Sequence, residues 1–335
     1  MIIASGSYKD EIFDSIFIGG GTPSILSGDK ISELLKTLKD NYNFSNSSEI
    51  TIEGNPEDFI NNKNLYKQLK NSGINRISFG IQSFNNDELK FLTREHTSEQ
   101  AIEVIENAKK YFSNISIDLI YSLPGQKLKN LENTLDTAIS LNIPHISAYT
   151  LIYEKETPVY NQLKRNIIAQ TDDKKESELY LLFSEKLISQ GYRHYEVSNY
   201  AKEGNESKHN LKYWEYANYI GFGPSAHSMW NGRRWNNFRN IIKYNISLQK
   251  GELPKENVYD LTYEEMKTEF IMLRLRSTGV NYEGYEDIFR NNFRSEFKNQ
   301  ISELRERNLS VEDETHFRLN ENGFLLVDEI CAKYF

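Results

Sequence analysis

The chain has 335 residues, of which 38% are hydrophobic and 26% charged, and a formal net charge of −8. That balance excludes a disordered chain, and the acidity argues against non-specific nucleic-acid binding and against docking on anionic membrane. No apolar run approaches the ~18 residues of a membrane span, no basic-plus-apolar leader opens the chain, and the single cysteine, Cys331, excludes an internal disulfide. The expected compartment is the cytoplasm.

Taken in order, the first half alternates two periodicities. β-branched and aromatic runs stand at 14–18 (DSIFI), 49–54 (EITIEG), 76–82 (RISFGIQ), 115–121 (ISIDLIY) and 145–152 (HISAYTLI). Helical patterns separate them. In DKISELLKTLKDNY, Asp29 reads as an N-cap and Ile31, Leu34, Leu35 and Leu38 share a face. Gly73 closes a helix carrying Leu65 and Leu69. Thr97 and Gln100 read as a capping box ahead of a stripe of Ala101, Val104, Ile105, Ala108 and Phe112. Leu131, Leu135, Ala138 and Ile139 form the next stripe. One helix between successive strands is the rhythm of βα units in a parallel sheet, either doubly wound or closed toward a barrel.

The strands finish on polar or glycine groups: Gly19 to Thr22, Glu53, Gln82 with Ser83, Asp118, and Tyr149 with Thr150. Active sites of parallel α/β folds sit at these ends, where loops converge. A buried Glu or Asp paired with a neighbouring Arg explains any one of them; the set points to a ligand site. The loop GGGTP after the first strand lacks the Gly-Lys-Ser/Thr ending of a phosphate loop, and Pro23 removes an N–H. Consecutive glycines present carbonyls as well as N–H groups, which suits an ammonium group better than a phosphate.

The second half is less regular. ESELYLLFSEKLISQGY is an amphipathic helix ending at Gly191, and the aromatic, Gly-, Asn- and His-rich stretch 193–237 shows little periodicity and reads as a functional segment or lid. Helical patterns resume near Leu261, followed by a hairpin in LSVEDETHFRLNENG, the outline of a small winged-helix-like domain. Residues 256–335 hold 17 acidic against 10 basic side chains. That excess makes phosphate contact improbable on electrostatic grounds and favours an interaction or covering role. The division predicted is 1–255 and 256–335.

FIGGGTPSIL, EGNPED, FGIQSFN, LTREHT and IDLIYSLPGQ, in this order, resemble the radical S-adenosylmethionine family, in the branch of oxygen-independent coproporphyrinogen III oxidases and heme chaperones. ISAYTLIYEKETP, GYRHYEVSNYAK, HNLKYW and GFGPSAHS are more similar to its heme-chaperone side. The resemblance implies a partial (β/α)6 TIM-like barrel with a small C-terminal helical domain. It implies S-adenosylmethionine at the strand ends: Gly20, Gly21 and Thr22 at the methionyl amino group, Glu53 at methionyl or ribose groups, Gln82 and Asp118 at ribose hydroxyls, and Arg94 on the methionyl carboxylate. The plainer reading of Arg94 is an ion pair with Glu95. The same resemblance associates HNLKYW with heme, His209 facing the iron and Tyr213 and Trp214 supplying aromatic surface, and sets His227 nearer the nucleotide. His96, His145, His194 and His316 take structural readings.

The family's radical chemistry needs a 4Fe–4S cluster held by three thiolates spaced C-x3-C-x2-C ahead of the FIGGGTPS strand. This chain holds no such motif, and Cys331 stands near its other end. The expectation is therefore a member lacking its first βα unit, with the edge of DSIFI unpaired. It would be a heme chaperone passing heme to an acceptor, such as a membrane-associated respiratory protein. The alternative is a coproporphyrinogen III oxidase decarboxylating porphyrin propionates.

Overall fold

The computed structural model describes residues 1–155 and 157–335. Glu156, within ISAYTLIYEKETP, lies outside the described residues. Two compact units form: Ser15–Leu35 with Ser47–Glu206, and Met1–Asp14 and Lys36–Asn46 with Ser207–Phe335. No described helix is long and apolar enough to cross a membrane.

The first unit is built on a seven-stranded sheet. Its strands are β1 (Ile12–Ile18), β2 (Asn43–Gly54), β3 (Arg76–Gln82), β4 (Asn114–Tyr121), β5 (His145–Thr150), β6 (Arg193–Glu196) and β7 (Asn199–Ala201), in the order β1-β2-β3-β4-β5-β7-β6. β2, β3, β4 and β5 pair in parallel. β7 then runs antiparallel to both β5 and β6. Five strands thus stand where the sequence places them, with β1 at one edge. The last two lie in the stretch read as irregular, where three or four residues per strand are too few to show a period.

One face of this sheet is continuously apolar. Ile50, Ile52, Ile77, Phe79, Ile81, Ile115, Ile117, Leu119 and Ile146 are all buried. Helical stripes supply their cover: Ile31 and Leu35 in the helix Gly28–Asn41, Leu65 and Leu69 in Leu65–Ser72, Ala101, Val104 and Ile105 in Ser98–Ala108, and Leu131 and Leu135 in Leu128–Ser140. Phe59 meets Phe79 edge-on at 5.0 Å and Tyr66 at 4.8 Å. Thr97 and Gln100 form the capping box, and Gly73 ends its helix at φ 102°. Asp29 does not cap: it sits inside the first turn of Gly28–Asn41, because the carbonyl of Ser27 already accepts from Lys30 and Ile31.

The second unit carries two small sheets. β8 (His227–Trp230), β9 (Arg233–Asn237) and β10 (Lys255–Asp260) form one antiparallel meander. β11 (Val280–Asn281), β12 (Ser310–Glu312) and β13 (His316–Leu319) form the other, β12 and β13 being the hairpin expected from sequence. The helices Tyr263–Leu275, Tyr282–Phe289 and Lys298–Glu306 accompany it. Phe270, Tyr285, Phe289 and Phe293 build an aromatic core of edge-to-face and tilted pairs, with centroids 4.9 to 5.3 Å apart in successive pairs. Such pairs add about 0.5–1.5 kcal/mol each beyond their buried area.

Phe79→Ala should cost about 3–5 kcal/mol through the cavity it leaves, and Thr97→Ala about 1 kcal/mol through the lost cap. Urea unfolding followed by circular dichroism reads both; equal losses would contradict the packing described.

Candidate functional site

The other face of the same sheet is largely polar across β2 to β5. β2 presents Glu49, Thr51 and Glu53; β3 presents Arg76, Ser78, Gly80 and Gln82; β4 presents Ser116 and Asp118; β5 presents His145, Ser147 and Tyr149. These positions alternate with the isoleucines because successive strand side chains point to opposite faces. Some groups near the strand starts pair with one another, while Thr51 Oγ1 and the Arg76 Nε and Nη2 have no hydrogen-bond partner. His145 is held between Ser116 Oγ and Tyr195 Oη, both at 2.7 Å, and burial drives its imidazole toward the neutral form.

At the strand ends the groups are held but not saturated. Gly20 and Gly21 have φ of 82° and 88°, a region costly for residues with a Cβ. The turn aims the Gly20 N–H at Glu53 Oε2, 3.2 Å away. Burial pushes the Glu53 carboxyl up, against the pull of that N–H, and the charge of Asp118 adds to the rise. Burial also raises Asp118, opposed by hydrogen bonds from Ser147 and Ser78 and by the charges of Arg76 and Arg94. Ser78 Oγ donates to Asp118 at 3.2 Å. Arg94 turns to Asn55, its Nη1 donating to Oδ1 at 3.3 Å, and Asn55 Nδ2 donates to Thr22 Oγ1 at 3.2 Å. Gly80 makes room: a Cβ there would stand 2.9 Å from Gln82 Nε2 and 3.2 Å from Arg94 Nη2. Gln82 is buried at φ 68°, and its Oε1 has no hydrogen-bond partner.

The residues the resemblance assigns to the ligand, Gly20, Gly21, Thr22, Glu53, Gln82, Arg94 and Asp118, all belong to the first unit, Gly20 bonded to Glu53 and Thr22 to Arg94 through Asn55. Tyr149, also named as a strand end, lies near Asp118 and Glu53, and Asn55, Ser78 and Glu196 are neighbours not singled out from sequence. The signal for Ser78 was the period-two polarity of its strand, since a parallel sheet covered by apolar layers on both faces reads as unbroken hydrophobic runs; Asn55 and Glu196 stand outside any readable period. The arrangement offers one guanidinium, two carboxylates, an unpartnered amide oxygen and an open glycine turn. It suits a ligand with both charges and several hydroxyl donors, as S-adenosylmethionine has.

His227 belongs to the second unit, exposed at the start of β8. That unit also holds the helix Lys208–Trp214, capped by Ser207. His209 Nε2 lies 3.1 Å from Tyr213 Oη, the two rings edge-to-face at 5.2 Å. Tyr219 meets Tyr213 at 4.7 Å. Burial pushes the Tyr213 hydroxyl up to about 12, with Tyr219 adding to the effect. Trp214 ends the helix, half-buried. His209 and Tyr213 thus pair on one helix, and Tyr219 packs against Tyr213. His194 stacks on Tyr200 at 4.1 Å and His316 bonds Thr315 and Asn281, as structural histidines do. His96 holds more than its own place and is taken up below.

The residues present do not fit an iron–sulfur cluster. Cys331 is buried in the second unit, burial pushes its thiol up, and Arg276 Nη1 contacts its Sγ at 3.3 Å. Among the described residues no three His, Cys, Asp or Glu side chains group to hold a metal.

Glu196, at the end of β6, is fully buried and accepts from Ser198 N and Asn199 Nδ2. Burial, against the pull of Ser198, raises its carboxyl to about 8. Below pH 8 the folded chain keeps a proton that the unfolded chain releases above its ordinary value near 4.5. Stability should fall as pH rises from about 5 to 8, by at most about 1.4 kcal/mol per pH unit, and level off above. Glu196→Gln should flatten that slope in urea titrations from pH 5 to 9, Asn199 turning its unpartnered Oδ1 to the new amide; an unchanged slope would refute the assignment.

The Radical SAM superfamily profile matches residues 4–138, and the HemN C-terminal domain profile matches residues 261–326. The heme chaperone HemW of Bacillus subtilis is 36% identical over 96% of this chain and 85% of its own length. HemW of Lactococcus lactis is 34% identical over 98% of this chain and 86% of its own. Coproporphyrinogen III oxidase (HemN) from Escherichia coli has the same fold, with a TM-score of 0.82 at 22% identity over 98% of this chain and 79% of that one. The sheet is thus the curled, partial barrel of that fold. The chain belongs to the radical S-adenosylmethionine superfamily, in the branch of HemN and HemW.

Proposed function

We propose that this protein is a heme chaperone that binds heme and S-adenosylmethionine and passes heme to an acceptor protein. The carrying observation is the pairing of His209 with Tyr213 on a helix whose tyrosine face stays 39% exposed, in a chain similar along nearly its whole length to two HemW chaperones. A neutral imidazole nitrogen binds heme iron, and exchange with the Tyr213 hydroxyl gives His209 a second partner when the heme leaves. Tyr213 and Trp214 would lie against the porphyrin. In this proposal the acceptor is a respiratory hemoprotein, membrane-associated, and residues 256–335 act as a covering domain.

S-adenosylmethionine supplies an adenosyl group and a sulfonium when bound. Gly20, Gly21 and Thr22 would meet its amino group, Arg94 its carboxylate, Gln82 and Asp118 its ribose hydroxyls, and Glu53 the remaining polar edge; His227 is proposed at the nucleotide as well. Gln82 Oε1 supports this, being a buried acceptor without a donor. The HNLKYW stretch, with His209 and Tyr213 on one helix, favours the chaperone reading over a coproporphyrinogen oxidase.

Hemin titration of the purified protein should give a saturable Soret shift, with affinity falling at least about tenfold in His209→Ala; an unchanged titration in the variant refutes the ligand. Calorimetry should show S-adenosylmethionine binding weakened about tenfold or more by Arg94→Ala, the scale of a lost charge-assisted bond of about 1.5–3 kcal/mol. Equal affinity in that variant would remove Arg94 from the site.

A further inference from the structure

Arg94 stands in a segment that does not hold itself in place. The helix Asn86–Phe91 ends with Thr93 at φ 57°, the Thr93 N–H reaching Lys90 O at 3.1 Å and the Arg94 N–H reaching Leu89 O at 2.9 Å. Glycine commonly fills this position, and a β-branched residue there is strained. Strain of this kind persists only where neighbours over-determine the conformation. Two residues beyond Arg94, His96 is buried, with its Nδ1 2.7 Å from Glu57 Oε1 and its Nε2 3.2 Å from the carbonyl of Ile81. The His96 backbone N–H also donates to Glu57 Oε1, at 3.3 Å. A carboxylate and a carbonyl both accept, so the two ring bonds together need an N–H on each nitrogen.

Burial would push the Glu57 carboxyl up, but the hydrogen bonds and charge of His96 outweigh it and hold the group near about 2. Glu57 lies in the helix Pro56–Asn61, whose N-cap is Asn55, the residue that receives Arg94 Nη1. Two rungs therefore join the same two segments: Asn55 to Arg94, and Glu57 to His96. The third contact, to Ile81 O, fixes the strand end immediately before Gln82.

We infer that His96 is a positioning residue: through its rungs to Glu57 and Ile81 it sets Arg94 for the carboxylate of an amino-acid-bearing nucleoside without touching that ligand. The inference rests on the reading of the strand ends as an S-adenosylmethionine site. It predicts a loss confined to the carboxylate end of the ligand, which general damage to the site would not produce.

The test is calorimetric titration of the full chain with S-adenosylmethionine and with 5′-methylthioadenosine, which lacks the amino and carboxyl groups. His96→Ala should weaken S-adenosylmethionine at least tenfold and methylthioadenosine less than twofold. Its combination with Arg94→Ala should be no worse than Arg94→Ala alone. His96→Gln, close in shape but able to donate to only one of the two acceptors in line, should fall between the native protein and His96→Ala, and it guards against a folding defect. Equal losses for both ligands, or full additivity in the double variant, would overturn the inference. If the native chain binds neither ligand, the nucleotide reading itself fails. Positioning is then read from the Nε–H resonance of Arg94 by ¹⁵N NMR, which should shift or broaden in His96→Gln; an unmoved resonance overturns it.

Discussion

A parallel sheet that turns a polar face inward must satisfy every group on that face, and the rest of this structure follows from that constraint. Unpaired buried polar groups cost about 1–3 kcal/mol each, and the apolar face has already committed the isoleucines to the helices. Near the strand starts the cost is met in part, by Ser116, His145 and Tyr195 bonding in series, while Thr51 Oγ1 and the Arg76 Nε and Nη2 go without a partner. Near the strand ends it is likewise met only in part. Glu53 has one N–H from Gly20, Asp118 has serine hydroxyls, and Gln82 Oε1 has none. What sets the strand ends apart is their chemistry: carboxylates and an amide beside a glycine turn, with the Arg94 guanidinium tied to the same turn through Asn55.

The glycine turn and Arg94 are two ends of one device. Asn55 links them, accepting from Arg94 and donating to Thr22. Gly80 keeps the space between Gln82 and Arg94 open. Strain at Gln82 and Thr93 is concentrated beside these groups, both non-glycine residues at positive φ. Local rules are broken where ligand geometry needs them broken, and the surrounding helices hold the result. The aromatic helix of the second unit follows a different logic. Its His209–Tyr213 pair lies one helical turn apart, so a local periodicity places both rings without long-range help.

Sequence alone determined β1 to β5, the capping box at Thr97 and the core stripes, because hydrophobic period and cap chemistry are local; the ligand roles given to Gly20, Gly21, Thr22, Glu53, Gln82, Arg94 and Asp118 are what the family resemblance implies. It did not reveal β6 and β7, since strands this short exist only by pairing, β7 with β5 and β6 with β7. It misread Asp29 as a cap, one turn position being hard to place without the backbone. His96 was equally opaque: a lone histidine in LTREHT carries no pattern, and its two acceptors come from residues 39 and 15 positions away. The polar inner face was present in the sequence as alternation, but which face turns inward is a property of the sheet. Tertiary structure decided it by burying the isoleucines under four helices, leaving the other face to line the site.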